Sequence, residues 1–331
     1  MRDTGYSQCR MSILSLTEKA DYIILCRVMK LENARTEDKL KGSEDATQVF
    51  NQYRWLLFSI AYRMLGSATD AEDIVQEAFV RWLQASEEEV KSPRAYLSTV
   101  VVHLCIDFQR SAQARREVYV GPYLPEPLGT HLRPELIETP LLAESLSFAF
   151  LVLLESLPPL ERAVFLLREV FEYNYDEIAT IVGKGEANCR QILHRAREHL
   201  EQRQRRFEVS PDQQERITYQ FMQASNNGDM QGLLKLLADD IVFTGDSNGK
   251  VRAGLKPVKG RDKVARGMLG GLRLLAVDME TRIEEINAQP AIVGYVNGRP
   301  FGVVLLDIEG GLIQHVYAVL NPDKLSWLAA R

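Results

Sequence analysis

Apolar residues recur at helical spacing through the first patterned stretch of the chain. Phe50, Tyr53, Leu56, Leu57, Ile60, Ala61 and Met64 form one stripe from Thr47 onward, and Gly66 ends it. Ser67 to Asp70 restarts the helix, with Asp70 expected as N-cap, Asp73 in the first turn, and Ile74, Val75, Ala78, Phe79 and Trp82 facing inward. Ser92-Pro93 then sets a cap with proline at the first helical position. The helix after it, Arg94 to about Arg116, is apolar through Val100, Val101, Leu104 and Ile106 before it turns basic. Tyr119 to Leu128 breaks the period, because its prolines and glycine enforce extended backbone. Helix is expected again over Leu141 to Leu157. Residues 1–46 carry no clear period beyond one short apolar patch, and the charged, aromatic-free run Lys30 to Asp45 predicts a mobile leader.

Two short helical patterns flank Gly183-Lys184-Gly185. The first puts Ile178, Ala179 and Val182 on one face. The second puts Cys189, Ile192 and Ala196 inward and Asn188, Arg190, Gln191, His194 and Arg195 outward. A small residue where the helices cross, a glycine at the sharp turn and a polar, basic second helix make the layout of a helix-turn-helix suited to the major groove. A helical hairpin with a merely solvated face has the same periodicity, so the motif needs support from the rest of the chain.

After Arg206 the period changes. Ser210-Pro211 opens a helix with Ile217, Phe221 and Ala224 as its stripe, and Asp229 caps a shorter helix to Leu237. Strand-like runs follow at Ile241 to Thr244, Met279 to Ile286, Ala291 to Val296, Phe301 to Ile308 and Leu312 to Val319. Asn248-Gly249, Asn297-Gly298 and Gly310-Gly311 are hairpin signals, and a helix from Asp262 to about Leu275 sits among the strands. Helices followed by an antiparallel meander imply an α+β layer with a curved sheet.

Length and charge narrow the function. A chain of 331 residues holds two or three domains, and a net charge of −5 excludes a generally basic nucleic-acid binder. DNA contact must rest on local basic surface, at Arg110, Arg115 and Arg116 and again at Arg190, Arg195, Arg197, Arg203, Arg205 and Arg206. Cys9, Cys26, Cys105 and Cys189 have no paired spacing, so neither a disulfide framework nor a zinc site is expected, and a reducing cytoplasm fits. No apolar run is long enough to span a bilayer. No metal set, phosphate loop or nucleophilic triad stands out, and no cofactor is expected.

Three blocks carry a family resemblance: Leu57-Phe-Ser-Ile-Ala-Tyr-Arg-Met-Leu-Gly, Asp70-Ala-Glu-Asp-Ile-Val-Gln-Glu-Ala-Phe-Val-Arg-Trp and Ser92-Pro-Arg-Ala-Tyr-Leu-Ser-Thr-Val. They resemble region two of an extracytoplasmic-function (ECF) sigma factor, and the helix-turn-helix, collinear with them, resembles that family's region four. The resemblance implies a non-enzymatic subunit of RNA polymerase, with the β′ and β subunits of the core enzyme and promoter DNA as partners. Region four would read the −35 element; region two would read and open the −10 element and clamp the β′ coiled coil.

For the −35 element the candidates are Asn188, Arg190, Gln191, His194, Arg195 and Arg197, since Arg can bridge guanine O6 and N7 and Asn or Gln can pair with adenine edges. For the −10 element they are Lys91, Ser92, Arg94 and Tyr96 as a pocket, and Asp107, Arg110, Arg115 and Arg116 along a backbone track. For the polymerase they are Asp73, Gln76 and Glu77 beside Phe79 and Trp82, a polar rim around aromatic anchors.

Tyr123-Leu124-Pro125-Glu126-Pro127 resembles the Trp-Leu-Pro-Glu-Pro linker of the ECF subfamily with a fused SnoaL-like C-terminal domain; Tyr replaces Trp here. Asp246-Ser-Asn-Gly249-Lys250 falls where that subfamily has a Gly-rich loop, and Asn321-Pro322-Asp323-Lys324-Leu325 matches its C-terminal motif. The implied organisation is a leader at 1–46, region two at 47–118, a Pro-rich linker at 119–140, region four at 141–206 and a SnoaL-like regulatory domain at 207–331. The fold class is multidomain, with two all-α sigma domains followed by an α+β cone. The loop and the C-terminal motif are expected to touch the linker, and a small ligand in the cone stays open.

Two rivals follow from the same residues. A ligand-sensing repressor or activator would bind a palindromic operator as a dimer, but it leaves region two without a purpose. A cyclase or isomerase in the cone has Asp246, His315 and Tyr317 as its available polar groups, and a His-Asp pair there transfers protons only at hydrogen-bond distance, whereas a lone His on a strand is more often structural.

Overall fold

The computed structural model describes residues 45–85, 90, 92–116, 119–129, 134–201, 209–251, 256–275 and 279–329. The expected leader lies outside these residues except for Asp45 and Ala46, which already belong to the first helix, α1, over residues 45–65.

Gly66 ends α1 at φ +69°, a conformation open to glycine. α2 (Ala68–Gln84) then starts one residue later, capped by Ser67 and not by Asp70. Because Gly66 has already turned the chain, the extended residue at the restart is Ser67 (φ −131°, ψ 124°), whose Oγ accepts from the Asp70 amide at 3.1 Å. Asp70 falls instead in the first turn, where its charge suits the helix dipole. α3 runs from Pro93 to Arg116.

The continuous helix expected over 141–157 is broken into α4 (Pro140–Glu144) and α5 (Phe148–Leu154). The cause lies in α1. The Arg63 guanidinium is fully buried there and donates to the Leu142 carbonyl at 2.7 Å, to Ser145 Oγ at 2.9 Å and to the Leu136 carbonyl at 3.3 Å. A helix running on through Ser145 would have tied up the Leu142 carbonyl, leaving a buried cation short of an acceptor.

α6 (Pro159–Phe165) passes into a π-helical turn (Leu166–Val170), and α7 (Tyr175–Val182) and α8 (Glu186–Glu201) follow. α3 packs against both α6 and α7. Leu97, Val101 and Cys105 of α3 therefore lie in one hydrophobic core with Val164, Ile178 and Ile192.

The last part holds α9 (Pro211–Asn226), α10 (Met230–Leu236), β1 (Leu237–Asp246), β2 (Val258–Lys259), α11 (Arg261–Leu275), β3 (Met279–Ile286), β4 (Gln289–Val296), β5 (Arg299–Glu309) and β6 (Leu312–Val319), then a short 3₁₀ turn (Pro322–Leu325) and α12 (Ser326–Ala329). The strands form one sheet in the order β2-β1-β6-β5-β4-β3. β3 to β6 make the expected meander, but β1 pairs with β6 in parallel, so the sheet is mixed. The long connection through β2, α11 and three strands brings the chain back beside β1 in the same direction, which a hairpin cannot do.

Asn297-Gly298 and Gly310-Gly311 turn hairpins with positive φ. Asn248-Gly249 does not: it opens the connection to β2. One face of the sheet is covered by α9, α10 and α11 through Ile217, Phe221, Leu233, Val264 and Leu269. The other face, with Val293, Val303, Leu305, Tyr317 and Val319, is covered by Leu124 of the linker, Phe148 and Ala149 of α5, and Leu325 and Leu328.

Candidate functional site

α7 begins at Asn174, whose backbone N–H donates to Glu177 at 2.8 Å, and ends on Gly183 at φ +63°. α8 then buries Cys189, Ile192, Leu193, Ala196 and Leu200 and exposes Asn188, Arg190, Gln191, His194, Arg195 and Arg197. Asn188 and Gln191 have no side-chain partner among the described residues, so their amides are open to an incoming base edge. Arg190 is steered by Glu186 at 3.0 Å and lies 4.6 Å from the Tyr175 ring centre. His194 sits 3.6 Å from Glu198. Arg195 and Arg197 instead fold back on the helices behind, pairing with Glu161 at 3.3 Å and Glu169 at 2.7 Å.

The −10 candidates separate into groups. Ser92 caps α3, accepting from Ala95 and Tyr96 amides. Arg94 lies 4.4 Å from the ring centre of Tyr173, just ahead of α7, and Tyr173 Oη is 2.7 Å from the buried Ser98 Oγ. Tyr96 is half-buried 6.0 Å from Trp82, which makes it a packing residue as much as a pocket wall. Asp107 and Arg110 are exposed and 3.5 Å apart. Lys91 and the side chains of Arg115 and Arg116 lie outside the described residues.

Of the polymerase candidates, Asp73, Gln76 and Glu77 are exposed on α2. Phe79 and Trp82 do not stand out as anchors. Phe79 packs 4.8 Å from Phe50, and Trp82 Nε1 donates to the Ala46 carbonyl at 2.8 Å. The α1 residues 45–50 claim both rings, because a helix starting at 45 reaches the end of α2. The exposed apolar residues of α2 are Val80, at 48%, and Leu83, at 44%.

The linker, the β1 end and the C-terminal motif come together. Asp246, wholly buried, accepts from Tyr119 Oη at 2.5 Å, the Leu124 amide at 2.9 Å and Lys324 Nζ at 2.7 Å. Lys324 also donates to the Leu124 carbonyl and sits 3.3 Å from the Tyr123 ring centre. Burial pulls its ammonium below the usual lysine range, and the Asp246 carboxylate opposes that. Burial, then Asp246, pushes the Tyr119 phenol far up. Asn321 donates to Tyr119 Oη at 3.0 Å, Asn248 accepts from the Val120 amide at 3.2 Å, and Lys250 meets Asp323 at 2.5 Å. A Cβ on Gly249 would press on Val120, which fits the glycine there. Pro322 is exposed, whereas Leu325 is buried under the sheet.

Further along the linker, Pro125 lies against Gly66, Pro127 is buried, and the buried Glu126 caps α2 from outside. Its carboxylate accepts from the Ala68 amide at 2.9 Å, the Thr69 amide at 3.2 Å and the Ser67 and Thr69 hydroxyls. Burial raises this carboxyl above the usual glutamate range, and those donors oppose the rise. Sequence reasoning placed Glu126 in the linker contact but missed its role as a cap. It also missed Asn287 in the β3–β4 turn, whose amide is bonded to Tyr62, Leu128 and Leu146.

The acid/base reading of the cone fails on geometry. Both Asp246 oxygens are committed to the linker and Lys324, while His315 Nε2 bonds Thr244 Oγ1 at 2.8 Å and its ring stacks on Tyr317 at 4.1 Å. Burial lowers the His315 imidazole to about 4, so it is neutral and structural near pH 7. Among the described residues no group of His, Cys, Asp or Glu could hold a metal ion, and no helix is long and apolar enough to cross a membrane.

Comparison with known proteins fits this geometry. Residues 49–115 match Sigma-70 region 2 and residues 147–200 match Sigma-70, region 4. The ECF RNA polymerase sigma factor SigJ of Mycobacterium tuberculosis is 36% identical over 289 residues, covering 84% of this chain and 92% of that protein. A second sigma factor of that organism, SigI, is 31% identical over 294 residues, covering 87% and 97%. The crystal structure of SigJ superposes with a TM-score of 0.66 at 33% identity, covering 85% of this chain and 98% of that one. The helical blocks are thus sigma regions two and four, the superposition on SigJ extends over the sheet domain, and the chain belongs to the ECF RNA polymerase sigma factors, the alternative sigma factors that direct transcription initiation.

Proposed function

We propose that this sigma factor is held in a closed, promoter-incompetent arrangement by its own C-terminal domain, and that release of the domain lets regions two and four spread along the promoter. One observation carries the reading: α3, with the −10 candidates, shares a core with α6 and α7, directly ahead of the −35 reading helix. Packed helices lie roughly 10 Å apart. Elements at −10 and −35 are about 25 base pairs apart, on the order of 85 Å along the duplex at ~3.4 Å per pair. No single packed core can reach both, so the two blocks must separate to read DNA.

Within this reading α8 enters the major groove with Asn188, Arg190 and Gln191 toward base edges, and His194 and the swung-out Arg195 and Arg197 toward phosphates. Exchange of Glu161 and Glu169 for phosphate frees the last two. Ser92, Arg94 and Tyr96 line the −10 pocket together with Lys91; Asp107, Arg110, Arg115 and Arg116 follow the strand. The exposed side of α2, with Asp73, Gln76, Glu77, Val80 and Leu83, docks on the β′ subunit, while region four addresses β. Phe79 and Trp82 support that surface from behind. The domain divisions at 47–118, 119–140, 141–206 and 207–331 describe the parts that move, and a cytoplasmic location follows from the partners. Ile217, Phe221, Leu306 and Val316 pack together between the cone's helices and its sheet, so a ligand there would have to displace apolar side chains.

The test is run-off transcription with core polymerase, comparing the full chain with a chain ended after residue 206. The shorter chain is expected to start transcription several-fold more often. Equal activity of the two forms would remove the regulatory claim.

A further inference from the structure

We propose that the β3–β4 turn is the element with which the C-terminal domain grips the sigma regions, and that Asn287 is its positioning residue; this rests on the closed-state reading above. Asn287 is fully buried. Its Oδ1 accepts from the Leu128 amide at 3.0 Å, and its Nδ2 donates to Tyr62 Oη at 2.7 Å and to the Leu146 carbonyl at 3.1 Å. Its own amide donates to the Leu128 carbonyl at 2.8 Å. These partners come from α1, from the linker and from the turn ahead of α5. One side chain therefore joins region two, linker and region four to the cone.

The backbone supports the assignment. Both Asn287 and Ala288 are left-handed, at φ +55° and +57°. A tight hairpin of this kind ordinarily takes glycine second, because alanine resists that conformation. Here the alanine methyl packs against the helical core, and next to it Gln289 accepts from the Phe148 amide at 3.4 Å. The turn is shaped by what it docks into and not by its own propensity.

Only an amide fits the pocket. Aspartate would face the Leu146 carbonyl with an acceptor, and leucine would leave the Leu128 amide and the Leu146 carbonyl buried without partners.

The experiment uses the full chain with spin labels on cysteines introduced at exposed Gln84 and Lys184, and double electron–electron resonance as the readout. Asn287→Gly keeps the left-handed backbone and deletes the amide; Tyr62→Phe removes one partner while keeping the ring. The glycine variant is expected to raise the long-distance population by about tenfold or more, with run-off transcription rising in step, and Tyr62→Phe to shift both less in the same direction. A distance distribution and run-off level matching the wild type in both variants would overturn the assignment. If the glycine variant does not fold, Tyr62→Phe alone decides: a shift supports the assignment and no shift overturns it. Loss of the domain that stimulates transcription while neither variant opens the chain would sink only the role of Asn287. Loss of the domain without effect would sink the closed-state reading itself.

Discussion

The C-terminal domain holds the linker at two places by opposite chemistry. At one end, Asp246 and Lys324 form a buried ion pair under Tyr119 and Tyr123. At the other, Asn287 makes neutral bonds to Leu128 and Tyr62. A buried ion pair adds little over an apolar pair of the same shape, but half of it is far worse than none, since one charge is left without water or partner. A satisfied amide loses much less when one bond goes. The charged end is therefore an all-or-none contact, whereas the neutral end is graded. Glu126, midway along, ties both to the start of α2.

Four measurements break or sharpen that contrast. Lys324→Met should destabilise the protein most, by about 3–5 kcal/mol in denaturant unfolding, because buried Asp246 keeps only its neutral donors Tyr119 and Leu124 and loses its countercharge. Asp246→Asn added to it should restore most of the loss, and a double variant as unstable as the single one contradicts an all-or-none contact. Tyr62→Phe should cost less, about 1–3 kcal/mol, from the donor left on Asn287 and the lost bond to the Glu126 carbonyl.

Glu126→Gln should change the pH slope. The folded carboxyl lies above the unfolded value near 4.3, so its stabilising share is complete below about pH 4.3 and is lost as pH rises through the raised value. Wild type should lose stability relative to the glutamine variant over that window, and parallel curves would refute the cause given for the shift. Lys250→Ala should matter least, under about 1 kcal/mol, since the Lys250–Asp323 pair is exposed at 44% and 66%. A loss as large as that of Lys324→Met would mean that the rim and not the buried pair holds this end.

The two ends also differ in how far the sequence discloses them. Asp246 and Lys324 lie in the loop and the C-terminal motif that resemble those of the subfamily, and that resemblance is what brings them forward. Asn287 has no such mark. Asn-Ala is not a usual hairpin signal, and its reason is tertiary: the methyl fills a gap in another domain's core. The same holds for the break between α4 and α5, since the residues 141–157 read as helix until the Arg63 guanidinium claims the Leu142 carbonyl. Periodicity placed Cys189, Ile192 and Ala196 inward because α8 packs on its own module. It also placed Phe79 and Trp82 inward, where α1 covers them through Phe50 and the Ala46 carbonyl. The parallel pairing of β1 with β6 lay beyond reach, as strand order depends on contacts far apart in sequence.

The position of Lys324 has a consequence for the newborn chain. It lies 124 residues beyond Leu200, the last buried residue of the reading helix. A ribosome adding about 5–20 residues per second needs roughly 6–25 s to cover that stretch. Under the closed-state proposal, each nascent molecule carries for that interval a finished DNA reader with no clasp, open to capture by polymerase before it locks.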